Sequence, residues 1–143
     1  MSDNDGMGAP GTWQRQQVGS GTVWEGIVGY SRAVRVGPFV QVAGTTATAD
    51  DGSTVGVGDP AAQTEAILRK IEGALQQVGA RLSDVVRTRV YLTNADDWEA
   101  VGRVHGQFFS EIRPANTLVE VSRLVGDEYL VEIDADAIVA RDV

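Results

Sequence analysis

The segment DPAAQTEAILRKIEGALQQVGARLSDVVRTRVYL, residues 59–92, changes its hydrophobic period part-way along, from helical to extended. Asp59 is an N-cap side chain, and Pro60 follows at the first helical position, where its missing N–H costs nothing. Ile67, Ile71, Ala74, Leu75 and Val78 then recur at helical spacing and make one apolar face. Gly79 suits the left-handed position that closes a helix. After a short connector, Leu82 to Val85, the residues Val86, Thr88, Val90 and Leu92 alternate with Arg87, Arg89 and Tyr91, as in a half-buried strand.

The reading extends outward from there. Upstream, Ala33, Val34 and Val36 precede the turn dipeptide Gly37-Pro38, and Phe39, Val40, Val42 and Ala43 follow, closed by Gly44. This predicts a hairpin. Thr12 to Val18, anchored by Trp13, is a candidate first strand. Gly19 to Gly29 reads as a loop with Trp24 and Ile27 as apolar pegs, and Thr48 to Gly58 as a polar loop.

Downstream, Asn94, Asp96 or Asp97 caps a second helix. Its apolar face is Trp98, Val101, His105, Phe108 and Ile112, and Pro114 ends it. Two more strands are expected, Leu118 to Leu124 and Leu130 to Val139, with Gly126-Asp127 as the turn between them. The last puts Val131, Ile133, Ala135 and Ala137 on one side and Glu132, Asp134 and Asp136 on the other. The predicted class is therefore α+β, a sheet with two helices on one face. Apolar residues on the opposite face would need a partner, so an oligomer is expected.

A chain of 143 residues with 43% apolar and 22% charged residues fits one domain, assigned to residues 12–143. Residues 1–11, rich in Gly, Asp and Ser, are expected to form a disordered tail. The net charge of −8 makes a nucleic acid or an anionic membrane a poor partner. Without cysteine there is no disulfide, thiol nucleophile or Cys-ligated metal. The N-terminal segment has no apolar h-region and no stretch is long enough to span a membrane, so a cytoplasmic location is expected.

Four features have chemical potential. Among Glu132, Asp134 and Asp136 one carboxylate can act as a general base, against the plain reading of a solvated strand face. Three like charges in a row also predict that one is protonated or paired with an arginine. His105, the only histidine, is a candidate base, against the reading of a hydrogen-bonded core or interface side chain. Tyr30-Ser31-Arg32 is either a packed loop or an aromatic lid, and Gly44-Thr45-Thr46 either a strand end or an oxyanion cradle. No phosphate-binding or serine-hydrolase motif is present.

Several segments together resemble the RidA (YjgF) family, also called endoribonuclease L-PSP. They are Tyr30-Ser31-Arg32-Ala33-Val34, Val42-Ala43-Gly44-Thr45, the Asp59–Gly79 helix with Gln63, Val86–Leu92, Phe108-Phe109, Arg113-Pro114-Ala115, Val119-Glu120-Val121 and Val131-Glu132-Ile133. The resemblance spans roughly residues 13–140. It implies a chorismate-mutase-like fold and a homotrimer with small-molecule clefts between subunits. It also implies hydrolysis of reactive enamines or imines, such as 2-aminoacrylate, with no metal or organic cofactor. Glu132 matches the water-orienting glutamate, Tyr30 a pocket tyrosine and Gly44 a pocket glycine.

The sequence departs from the family pattern where a substrate-clamping arginine is common, because Asn116 follows Pro114-Ala115. Leu118 stands where cysteine is often found, Gly102 where asparagine is, and Ala43 where serine is. A single neutral amide replaces a bidentate cation, so 2-aminoacrylate is expected to bind poorly. The expected substrate is another imine or enamine metabolite, and a non-catalytic metabolite binder and an endoribonuclease are the rival readings. Arg103 and Arg123 are candidates to restore the charge. The expected site is thus Glu132 as the catalytic group, with Tyr30, Gly44, Asn116, Leu118, His105 and Arg103 lining the ligand.

Overall fold

A computed structural model describes residues 11–140. Among them six strands form one sheet: β1 (Arg15–Val18), β2 (Ala33–Val36), β3 (Phe39–Thr45), β4 (Val85–Leu92), β5 (Ala115–Glu120) and β6 (Val131–Ile138). Three helices accompany them: α1 (Val23–Val28), α2 (Pro60–Gln77) and α3 (Trp98–Phe109). The spatial order is β1-β2-β3-β6-β4-β5. Only β4 and β5 pair in parallel. The fold is α+β with a mixed sheet. The predicted tail falls almost wholly outside the described residues.

The 59–92 segment forms as its sequence dictates. Asp59 Oδ1 accepts from Ala62 N at 3.0 Å, and Gly79 takes φ +79° after the helix. The stripe Ile67, Ile71, Ala74, Leu75 and Val78 is buried, and Leu68 joins it. It packs with α3 against the strand residues Val40, Val42, Val90, Leu92, Val131 and Ile133. The core lies between the sheet and these two helices. At about 25 cal/mol per Å² of apolar surface buried, this layer is the main stabilising term.

Four readings need correction. Val86 is exposed and Val85 buried, because the β4–β6 register shifts between Val85 and Arg87. Such a bulge moves a side chain to the other face. The 19–29 stretch contains α1, whose Val23, Trp24, Ile27 and Val28 are all more than half exposed, so Trp24 and Ile27 do not peg a loop into the core. In α3, Trp98 is exposed, while Val101, Val104 and Phe109 are buried. Phe108 and Ile112 pack against the core with Val101 as expected, so the departure is confined to Trp98 in the first turn.

The fourth correction concerns topology. The fifth strand is Ala115–Glu120, not Leu118–Leu124, and it does not form a hairpin with β6. It runs beside β4 as an edge strand, and β6 inserts between β3 and β4, antiparallel to both. Alternation of side chains fixes which face a strand buries but says nothing about its neighbour. The segment 121–130 is long enough to carry the chain across β4. The inward and outward sides of β6 are as predicted.

Candidate functional site

The outward side chains of β6 divide into two environments. Asp134 Oδ1 accepts from Arg89 Nη1 at 2.8 Å, and Asp136 Oδ2 lies 3.1 Å from Arg89 Nη2. The Tyr91 hydroxyl donates to Asp134 Oδ2 at 3.0 Å. Two of the three carboxylates are therefore tied up by an arginine, as the repulsion argument required. Glu132 is not. It makes no hydrogen bond to protein among the described residues and lines a cleft of about 240 Å³. Burial pushes its carboxyl above the ordinary glutamate value; Arg32 pulls it down and Asp134 pushes it up.

Backbone irregularity brings Glu132 there. The β3–β6 register shifts between Val42 and Thr45, and Gly44 sits in that bulge. A Cβ on Gly44 would lie 2.2 Å from Glu132 Oε2, so the carboxylate fills the space a side chain would need. Tyr30, Arg32, Thr46, Thr48, Lys70 and Tyr129 line the same cleft, with Trp24, Val28 and Val125 as its apolar wall. Gly44→Ala should displace the Glu132 carboxylate while sparing the fold, because the obstacle is the end of a flexible side chain. Little change in Tm is expected, and a crystal structure of the variant tests the displacement; a carboxylate left in place would contradict it.

A second polar group lies on the helix-covered side of the sheet, on β4, β5 and α3. Thr88 is fully buried, and its Oγ1 accepts from Asn116 Nδ2 at 3.0 Å and lies 2.9 Å from His105 Nε2. Since Asn116 donates, the Thr88 hydroxyl is free to donate to an unprotonated Nε2. Burial lowers the His105 pKa, which favours the neutral ring. His105 also stacks on Phe109 at 4.7 Å.

The sequence profile of the endoribonuclease L-PSP family matches residues 23–139. The chain belongs to this family, the RidA (YjgF) family. Rv2704 of Mycobacterium tuberculosis, a member of the YjgF/YER057c/UK114 family, is a structural neighbour with TM-score 0.80 and 53% identity. That match covers 88% of this chain and all of Rv2704. The protein SCO2049 of Streptomyces coelicolor is 38% identical, over 85% of this chain and 90% of its own length. The 3-aminoacrylate deaminase RutC of Acinetobacter baylyi is 35% identical, over 73% of this chain and 82% of its own length.

Within this RidA-family domain the residues singled out in the sequence fall into three places. Tyr30, Gly44 and Glu132 meet in one cleft. His105 and Asn116 share the Thr88 network, and Leu118, half-buried, lies on the same strand as Asn116. Arg103 belongs to neither group: it is exposed on α3 and ion-paired with Glu99. Arg123 is exposed as well. The cations in the Glu132 cleft are instead Arg32 and Lys70. Lys70 was legible in principle. It occupies the helical stripe of Gln63, Ile67 and Ala74, where an apolar residue would be ordinary. No helix of the described residues is long and apolar enough to cross a membrane.

Proposed function

We propose that this RidA-family protein is a cytoplasmic hydrolase that releases ammonia from an enamine or imine metabolite other than 2-aminoacrylate. The reaction uses the Glu132 cleft. The observation that supports this best is Glu132 itself: a desolvated carboxylate with no hydrogen bond to the described residues, wedged against Gly44 and facing an open cleft. A group with a raised pKa and free oxygens can take a proton from water and return it. The kinship with a 3-aminoacrylate deaminase supports the reaction class.

In the proposed step, C=NH plus water becomes C=O plus ammonia. The C–O bond forms as Glu132 takes one water proton. Glu132 returns that proton to nitrogen, and the C–N bond breaks as the remaining hydroxyl proton follows. The step is balanced with no redox partner. The protein is proposed to act as a homotrimer, which would cover the apolar side chains Phe39 and Ile138, 48% and 38% exposed on the helix-free side of the sheet.

Ammonia release from 2-aminoacrylate, 3-aminoacrylate and larger imino acids, each generated in situ, tests the reading. Little acceleration is expected with 2-aminoacrylate, because the Asn116 amide already bonds Thr88. Clear acceleration is expected with at least one of the others. Binding of all of them without turnover would establish a metabolite-binding protein instead.

A further inference from the structure

Arg32 and Lys70 hold the same stretch of backbone from two sides. Arg32 Nη1 donates to Gly44 O and to Thr45 Oγ1, both at 3.1 Å. Lys70 Nζ donates to Thr46 O at 2.9 Å and to Thr48 O at 3.1 Å. The floor of the cleft is thus pinned at alternate carbonyls, 44, 46 and 48. Neither cation meets a carboxylate at hydrogen-bond distance among the described residues. Glu25 Oε2 stands 3.9 Å from Arg32 Nε, behind the guanidinium, and its oxygens are occupied by Ser20 and Thr22. Asp50 acts on Lys70 only at longer range.

Holding carbonyls does not require charge. A neutral amide would do so without the cost of desolvating a cation. Arg32 is only 12% exposed, yet its Nε makes no hydrogen bond and its Nη2 none to the described protein. Lys70 uses two of its three N–H groups. Glu132, the carboxylate that shares the cleft, is not ion-paired with either cation. The backbone anchors keep these opposite charges apart around an open volume, where free side chains would collapse onto one another. Trp24, Val28 and Val125 make the adjoining wall apolar.

We infer that Arg32 and Lys70 are the specificity-determining residues of this cleft, and that together they bind the carboxylate of an organic acid whose apolar body lies on Trp24, Val28 and Val125. This rests on the reading of the Glu132 cleft as the reaction site and deepens it. The anion is recognised from the β2 and α2 side, whereas Asn116 on β5 is bonded to Thr88. Glu25, 3.9 Å from the buried Nε, closes that edge of the guanidinium, which leaves Nη2 and the third N–H of Lys70 as the donors for the ligand. Anchoring the carboxylate there would leave the rest of a short acid within reach of Glu132.

The test separates binding from turnover. The full-length protein is titrated with 4-methylpentanoate and with its neutral isostere, 4-methylpentanamide, by calorimetry or ligand-observed NMR. The acid should bind at least tenfold more tightly than the amide. Arg32→Gln and Lys70→Gln should each weaken the acid at least tenfold and leave the amide unchanged. If Arg32→Gln fails to fold, Lys70→Gln decides by the same criterion. Equal binding of acid and amide, or acid binding that survives the substitutions, would overturn the inference. Acid binding that depends on both residues, with no ammonia released from any enamine or imine, would leave the inference standing and refute the hydrolase reading. Turnover of an imino acid whose KM ignores both residues would do the reverse.

Discussion

Glu132→Gln should reduce ammonia release by about 10²- to 10⁴-fold, the range that removal of a general base produces. The fold should not suffer. Burial makes the folded chain hold the Glu132 proton more tightly than the unfolded chain does. A carboxyl raised in this way has its full stabilising effect below its unfolded value, and that effect is lost as pH rises through the folded value. At neutral pH the ionised carboxylate is therefore a liability to the fold, which the neutral amide removes. The variant should melt no lower than the wild type.

The same shift sets the pH profile. Only ionised Glu132 can accept the water proton, so activity should rise with pH through a limb displaced above the ordinary glutamate range. Arg32 opposes this displacement. Arg32→Gln should therefore move the acid limb to higher pH, in addition to weakening substrate. Initial rates over a range of substrate concentrations from pH 4 to 8 would show both effects, the limb in kcat and the weakening in KM. An acid limb that stays in place when Arg32 is neutralised would contradict the electrostatic coupling. Turnover that survives Glu132→Gln would remove Glu132 from the chemistry altogether.

How much of this was legible in the sequence differs from element to element. The helix at Pro60–Gln77 was, because its cap, its stripe and its closing glycine all agree. The six strands were recognisable, as was the side that β6 buries. The pairing of β5 was not. Side-chain alternation carries no information about neighbours, and Gly126-Asp127 looked like a hairpin turn. In the structure Gly126, at φ +129°, instead packs against Tyr129 within a longer excursion. Val86 was misplaced by one residue because a bulge leaves no mark in an alternating pattern.

The site was legible by resemblance rather than by chemistry. On the residues alone, Glu132, Asp134 and Asp136 were equivalent. What distinguishes them is a neighbour on another strand: Arg89 lies across from the two aspartates, and Gly44 from the glutamate. Arg103 and Arg123, the arginines the sequence offers as replacements for the missing charge, sit on exposed surface. Lys70 stands in the inward stripe of Gln63, Ile67 and Ala74, but its partners, the carbonyls of Thr46 and Thr48, come from a segment that the helix pattern does not identify.

Gln63→Ala should be the most damaging single change to the fold outside the apolar core. Gln63 is fully buried, and it meets three backbone groups from two loops. Its Nε2 donates to Gly56 O at 3.2 Å and to Glu128 O at 2.9 Å, and its Oε1 accepts from Leu130 N at 2.8 Å. Truncation removes three hydrogen bonds and strands buried partners. At about 1 kcal/mol for each bond, with a further penalty for partners left unsatisfied, a loss of about 3–5 kcal/mol is expected. For a domain of this size that is a fall in Tm of roughly 10 °C.

The damage should reach the cleft, since Tyr129 lies between the two residues that Gln63 holds, and its hydroxyl is 2.5 Å from Thr48 Oγ1. Gln63→Glu separates packing from hydrogen bonding. It keeps the volume and the acceptor for Leu130 N–H, but it turns the donor towards Gly56 and Glu128 into a second acceptor and buries a charge. If the three hydrogen bonds are what matter, Gln63→Glu should be no more stable than Gln63→Ala at neutral pH. If filling the space is what matters, the glutamate should restore most of the loss. Urea denaturation of both variants, with the slope checked for constancy, decides between them.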